Sequence, residues 1–378
     1  MKIAIMTQPL GTNYGGIMQA WALQQVLKRM GHNPVTIDRQ PDAKGLAYHA
    51  ARLGYRTLQK ALGKRKAPIN FERHLPTILQ HTRAFIDQNL SISEPLGSTA
   101  KLKAHFVREE YDAVIVGSDQ TWRPQYSPNI ENFFLDFLEG FEIKRIAYAS
   151  SFGVDEWEFT EEQTRRCAAL AKRFDSISVR EDSGVELCRK HLGVEASHVL
   201  DPTLLLDKAD YQQLIGPERL SSKPYGVYTY FLDKTPAKQT LAQQASEQLD
   251  EPVYSCQARL SVTDEFQGSL DSFIMPSCLD WLAGFANCRY VVTDSFHGMV
   301  FSIIFGKPFF VIRNEGRGQA RIESLSRSFE CEKLLSNKKM PFKNEKFILE
   351  EAPKNLTEKL NSASYFGINF LKHSTTNN

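Results

Sequence analysis

The stretch "VVTDSFHGMVFSIIFGKPFFVI", residues 291–312, decides the fold. Val291-Val292-Thr293 reads as the end of a buried strand, and Asp294-Ser295-Phe296-His297-Gly298 is a polar handover. The apolar run to Phe305 then has helical length. Gly306 and Pro308 stop it, and Phe309 to Ile312 read as the next buried strand. Strand, helix and strand in succession is the unit of a parallel α/β sheet. His297 falls at the carboxyl end of a strand, where ligands bind in open α/β sheets.

The same pattern recurs on the amino-terminal side. Residues 2–7 read as a strand and 16–30 as a helix with apolar positions Ile17, Trp21, Leu23, Val26, Leu27 and Met30. Gly31 caps that helix, and 35–38 read as a second strand. Further strands are expected at 111–116, 144–150, 176–179 and 199–200. The turn-rich segment "GPERLSSKP", 216–224, reads as a linker. A second set follows, with strands near 225–231, 252–256, 289–293 and 309–312 and helices at 236–249, 279–287 and 298–305. The expected architecture is α/β: two Rossmann-like domains, 1–215 and 225–354, with the carboxyl ends of both sheets facing a cleft. A helix within 355–378 is expected to pack back on the first domain, ahead of a disordered tail, "HSTTNN".

Composition fits this. The chain has 378 residues, 42% hydrophobic and 24% charged, with a net charge of +2. That balance belongs to ordinary globular proteins and gives no argument for nucleic acid. The six cysteines form no CxxC pair and no zinc-like set, so they read as reduced structural thiols. No apolar run reaches the length of a membrane span. A cytoplasmic protein is expected. Residues 43–74 stand apart, with eight Lys/Arg against one acid, Glu72. Leu46, Ala50, Leu53, Leu58 and Leu62 lie roughly along one helical face. A solvated helix packed on the domain is the plainer reading. Peripheral contact with the inner face of the cell membrane is the alternative.

Four constellations could carry chemistry. Asn13, Tyr14, Gly15 and Gly16 follow the first strand, where backbone amides at a helix start favour an anion or a sugar. This is not GxGxxG, so the dinucleotide fingerprint is unmet. Ser118, Asp119, Gln120 and Trp122 follow the strand at 111–116. An indole can stack on a pyranose, amides and hydroxyls can bind it, and Asp119 can accept a proton. A helix cap with Trp122 in the core is the competing reading. Arg180 ends a further strand beside Glu181, where an ion pair is the default. Finally, His297 lies ahead of Arg313, Arg317 and Arg321. Arginines grip carboxylate and phosphate, and a histidine gives or takes a proton, which suits a small polyanion. There is no DxD and no GxSxG, so two common transferase and hydrolase signatures are missing.

"TNYGGIMQAWALQ", "VGSDQTW", "AYASSFG", "SVREDSG", "VLDPTLLL" and the opening stretch, in this order over roughly 1–330, resemble the polysaccharide pyruvyltransferase family. The resemblance implies a GT-B-like fold. It implies transfer of a pyruvyl group from phosphoenolpyruvate to two hydroxyls of a sugar, forming a ketal and phosphate. The sugar would belong to a polysaccharide or a lipid-linked repeat unit, and no cofactor or metal is expected beyond phosphoenolpyruvate as co-substrate. His297 matches the family's donor histidine and Arg180 its upstream donor-binding arginine. Many members carry arginine two residues before the histidine, where this chain has Ser295. Arg313, Arg317 or Arg321 would then supply that charge, with Ser295, Phe296 and Gly298 around the donor. His297 is the expected general acid, and Asp119 is expected to orient or deprotonate the acceptor. Two rival readings stand beside this one: a GT-B glycosyltransferase using a nucleotide sugar, and a non-catalytic glycan-binding protein.

Overall fold

The computed structural model describes residues 1–260, 269–314, 318–336 and 355–376. Strands β1 (Lys2–Met6), β2 (Asn33–Ile37), β3 (Ala113–Val116), β4 (Lys144–Ser150), β5 (Ser176–Val179) and β6 (Ser197–His198) form one sheet. Its order is β2-β1-β3-β4-β5-β6, and every pairing is parallel. Parallel strands covered on both faces need unbroken apolar sequence. "AVIV" of β3 supplies it, with all four residues buried. Helix α1 (Tyr14–Arg29) connects β1 to β2 and ends in Lys28 and Arg29, which suit the negative helix end.

The second sheet holds β7 (Val227–Tyr230), β8 (Val253–Ser255), β9 (Tyr290–Thr293) and β10 (Phe309–Val311), in the order β10-β9-β7-β8. The helix Phe296–Phe305 joins β9 to β10, and all ten of its residues are buried. Ser295 is its N-cap, and Gly306, at φ +62°, ends it in the left-handed region. The chain is thus an α/β protein of two Rossmann-like halves.

Two expectations are corrected here. The last strand of the first sheet lies at Ser197–His198, not 199–200. Asp201 caps the following turn through Thr203 N, so Val199 and Leu200 already belong to the approach to that turn. The carboxyl end is also helical further than expected. The helix Leu356–Thr375 runs through His373 with Ser374 and Thr375 buried, and Thr375 Oγ1 meets His32 Nε2 at 3.1 Å. Residues 377 and 378 lie outside the described residues. The helix packs against β4 and the turn Pro202–Leu205 of the first sheet, and Ser364 Oγ donates to Leu204 O at 2.6 Å.

A continuous apolar cluster joins the halves. Trp21 of α1 meets Tyr211 at 5.6 Å between ring centroids, and Tyr211 meets Phe301 at 5.2 Å. Tyr14, at the start of α1, stacks on Trp281 at 5.2 Å and 12°. This packing brings the amino end of α1 against the amino end of the helix Phe296–Phe305.

Candidate active site

A cleft of about 1020 Å³ opens between the sheets, over their carboxyl ends. Asn13 follows β1, Asp119 and Gln120 follow β3, Leu232 and Lys234 follow β7, and Ser295 to His297 follow β9, and all of them line it. The first turns of two helices touch at its base. A Cβ built on Gly15 would stand 2.0 Å from His297 Nδ1, so the absent side chain makes room for the imidazole. Two helix amino ends meeting there favour negative charge in the cleft.

His297 is buried, with its Nε2 side 3.7 Å from Asp201 Oδ2. Asp201 is held in turn. Its Oδ1 accepts from Thr203 N at 3.0 Å and Thr203 Oγ1 at 2.6 Å, and its Oδ2 accepts from Arg180 Nη1 at 2.7 Å. Arg180 Nη2 donates to Asp119 Oδ1 at 3.3 Å, and Arg321 Nη1 stands 3.6 Å from the same oxygen. Asn13 Nδ2 donates to Asp119 Oδ2 at 3.2 Å. Both guanidiniums lie over the Phe296 ring, at 4.7 Å for Arg180 and 5.4 Å for Arg321. The result is a buried relay, His297–Asp201–Arg180–Asp119–Arg321, whose ends open into the cleft.

Electrostatics fixes the charge states. Burial alone would raise the Asp201 pKa, but the His297 contact, Arg180 and Thr203 outweigh it and hold the carboxyl far below its usual range. Burial likewise opposes ionisation of Asp119, and Arg180, Arg321 and His297 outweigh it, so its pKa is lowered. For Arg180, burial is overcome by Asp201 and Asp119, and its pKa rises. Burial, and then the charge of Arg180, bring Arg321 down to about 10, which leaves it charged at neutral pH. Asp119 also has φ +71°, a conformation costing an L-residue about 1–2 kcal/mol. The strained backbone is held in place by the two guanidiniums and Asn13 that grip its carboxylate.

These depressed carboxyl pKa values have a consequence for stability. Their contribution is complete above the unfolded value of about 3.9 and is lost as pH falls through the lower folded values. Unfolding free energy from urea titrations should therefore fall steeply below about pH 4. Asp201→Asn should be less stable at neutral pH and should show a flatter acid limb. An unchanged acid limb in that variant would remove Asp201 from this account.

Several expected residues reach the cleft: Asn13, Tyr14, Asp119, Gln120, Ser295, Phe296, His297 and Arg321. Gly15 and Gly16 stand behind it, Gly16 with a virtual Cβ 3.3 Å from Asp119 Oδ2. Gly298 packs on the strand instead, where a Cβ would meet Thr293 Oγ1 at 2.1 Å.

Five expectations do not hold or fall elsewhere. Trp122 is not a sugar platform. It is fully buried, stacks on Phe134 at 4.8 Å and donates from Nε1 to Phe133 O at 2.9 Å. Ser118 is also buried and donates to Ala149 O at 2.9 Å. Arg180 lies behind Phe296 rather than on the cleft wall, because two buried carboxylates hold it. Arg313 turns toward Glu323, with Nε 3.5 Å from Oε1. Arg317 lies outside the described residues. Trp122→Phe should therefore lower stability, by about 1–3 kcal/mol, and leave acceptor KM unchanged. A raised acceptor KM at unchanged melting temperature would restore the platform reading.

Sequence reasoning missed other residues. Asp201 was legible only as the strand-end acid of "LDPT", the same signal that flagged Asp119. Tyr126 lines the cleft at 43% exposure, with Arg123 4.6 Å from its ring. Lys234 and Arg259 add positive charge from the second half. Asp294 ties that wall together. It accepts from Lys238 Nζ at 2.5 Å, Leu232 N at 2.6 Å and Asn314 Nδ2 at 3.2 Å.

Solved structures share the architecture. A UDP-GlcNAc 2-epimerase from Neisseria meningitidis, bound to UDP-GlcNAc, aligns with TM-score 0.50 and 9% identity over 100% of this chain and 95% of its own. A UGT transferase from Siraitia grosvenorii, in complex with UDP, aligns with TM-score 0.50 and 8% identity over 100% of both chains. At such identity these likenesses speak for the fold alone. No curated protein matches the chain by sequence. The sequence pattern of one family, described as polysaccharide pyruvyl transferase, matches residues 13–316. That span begins at Asn13 and takes in Gly15, Asp119, Arg180, Asp201 and His297: the chain belongs to the polysaccharide pyruvyl transferase family.

Proposed function

We propose that this transferase moves the pyruvyl group of phosphoenolpyruvate onto two hydroxyls of a sugar, forming a ketal and releasing phosphate. The observation that carries this is His297, whose Nε2 side faces Asp201 and whose ring face lies against Gly15 at the base of a cleft bounded by Arg321. Asp201, 3.7 Å from Nε2, orients the ring and leaves Nδ1 as the nitrogen for proton transfer to a ligand.

Imidazolium Nδ1 gives its proton to the methylene carbon, which becomes the methyl group. One sugar hydroxyl adds to the central carbon, and its proton returns to His297. The C–O bond to phosphate breaks, the second hydroxyl closes the ketal, and its proton leaves with phosphate. Arg321, Lys234 and Arg259 offer charge for the donor's phosphate and carboxylate. Asp119, held ionised by two guanidiniums, is a weak base and serves to orient an acceptor hydroxyl. Tyr126 replaces Trp122 as the aromatic face for the sugar.

Thermal unfolding tests the donor. A ligand at about 100 times its Kd stabilises the folded state by about 2.7 kcal/mol. Millimolar phosphoenolpyruvate should raise the melting temperature by several degrees, and UDP or a nucleotide sugar should not. A shift with UDP alone would overturn the donor assignment in favour of glycosyl transfer.

A further inference from the structure

Helix α2 (Leu46–Ala61) is turned inside out relative to a helix packed on its own domain. None of its residues is fully buried, and its half-buried positions are Arg52, Arg56 and Gln59, all polar. Arg52 and Arg56 point inward to Glu72, at 3.2 Å and 2.8 Å, and Arg56 also donates to Ile69 O at 3.0 Å. Apolar side chains take the outer face. Leu46 is 89% exposed, Leu53 39%, Tyr55 63% and Leu58 56%, and Leu62, just beyond the helix, is 58% exposed. An amphipathic helix normally shows the opposite orientation, with its apolar stripe on the core.

Positive charge surrounds this face. Lys44, Lys60, Lys64 and Lys66 are exposed along its edges. Beside it, Arg56, Lys64, Arg65 and Lys66 share a concave pocket of about 460 Å³ with Tyr55 and Gln59. Apolar side chains outward, with lysines at the same edge, is the build of a helix lying in a bilayer interface. A second copy of this chain suits the face less well, because pairing two such faces would bring like lysine clusters together.

We infer that α2 and the basic turn after it dock on an anionic lipid surface, with the leucines among the acyl chains and the lysines at headgroup phosphates. Among the described residues no helix is long and apolar enough to cross a membrane, so the contact is one of lying on the surface. The segment that anchors α2 also reaches the cleft. Phe71 packs on Phe273 at 5.4 Å between centroids, and Phe273 and Ile78 line the cleft wall. With the lipid-linked acceptor of the proposed function, docking sets the cleft beside its carrier. The docking itself is independent of the chemistry at His297.

The test is co-sedimentation of the full chain with phosphatidylcholine vesicles, with and without one-third phosphatidylglycerol. The expected result is binding to the anionic vesicles only, weakened by salt. Leu53→Ser with Leu58→Ser, and separately Lys60→Gln with Lys64→Gln and Lys66→Gln, should each weaken it by at least ~10-fold. Both sets lie on the surface and should leave the melting temperature unchanged. Wild-type protein left in the supernatant with anionic vesicles would overturn the inference. So would variants that bind as tightly as wild type. A dimer seen by light scattering and lost in the leucine variant would give the face to a second copy instead.

Discussion

His297→Gln is expected to keep the fold and lose on the order of 10³-fold in kcat, the scale set by removal of a positioned acid. Glutamine retains a polar group of similar reach toward Asp201 but carries no proton to give. The donor's phosphate and carboxylate would still meet Arg321, so phosphoenolpyruvate should still raise the melting temperature of the variant. Arg321→Gln should behave in the other way. On the proposed function, the charge it removes beside Asp119 would hold the donor equally in ground state and transition state, so the main effect should be a raised donor KM. Arg180→Ala is a different case again. It leaves Asp119 and Asp201, both buried, without the guanidinium between them. Breaking a buried pair in this way typically costs about 3–5 kcal/mol, so lost stability should precede any kinetic effect. Steady-state kinetics with melting curves separates the three. Equal small losses in His297→Gln and Arg321→Gln would sink the assignment of roles.

Much of this was legible in the sequence, and for a physical reason. Buried parallel strands must be apolar along their whole length, so "AVIV" and "YVVT" announce themselves. The helix from Phe296 is bracketed by a serine cap and a left-handed glycine, both local signals. The chemistry-bearing residues stand at strand ends, which is why Asp119 and His297 could be picked out before their neighbours were known. Side-chain direction could not be read that way. Trp122 follows β3 as Asp119 does, yet its indole turns into a cage of phenylalanines, because one step along an irregular turn decides between cleft and core. Arg180 was expected to grip substrate, but its partner Asp201 comes from a different strand end and claims it from behind. The outward face of α2 was also hidden. Periodicity defines an apolar stripe but not whether it points in or out, and here Glu72, beyond the helix, draws the arginines inward.

Gly15→Ala is expected to abolish activity while leaving the protein folded. Gly15 is the second residue of α1, and alanine is the better helix former, by up to about 1 kcal/mol in a helix interior. On backbone grounds the change is harmless. The space is what forbids it. The new methyl would fall 2.0 Å from His297 Nδ1 and 2.2 Å from Cγ, inside the ring's own volume. The α1 backbone is fixed by Tyr14 stacked on Trp281 and by Ile17 N donating to Asn13 O at 3.0 Å, so the imidazole must move. Once moved, it loses its alignment with Asp201 and with any carbon it protonates. A displacement on the order of 1 Å costs about 10²-fold, and losing the proton transfer altogether costs more. Gly16→Ala is the control. Its methyl would be 3.1 Å from Asn13 Nδ2 and 3.3 Å from Asp119 Oδ2, a tight fit that small side-chain shifts can absorb. Adjacent glycines on one helix should thus give very different enzymes at similar melting temperatures. Full activity in Gly15→Ala would mean that the position of this imidazole does not matter to turnover, and His297 would have to be given up as the acid.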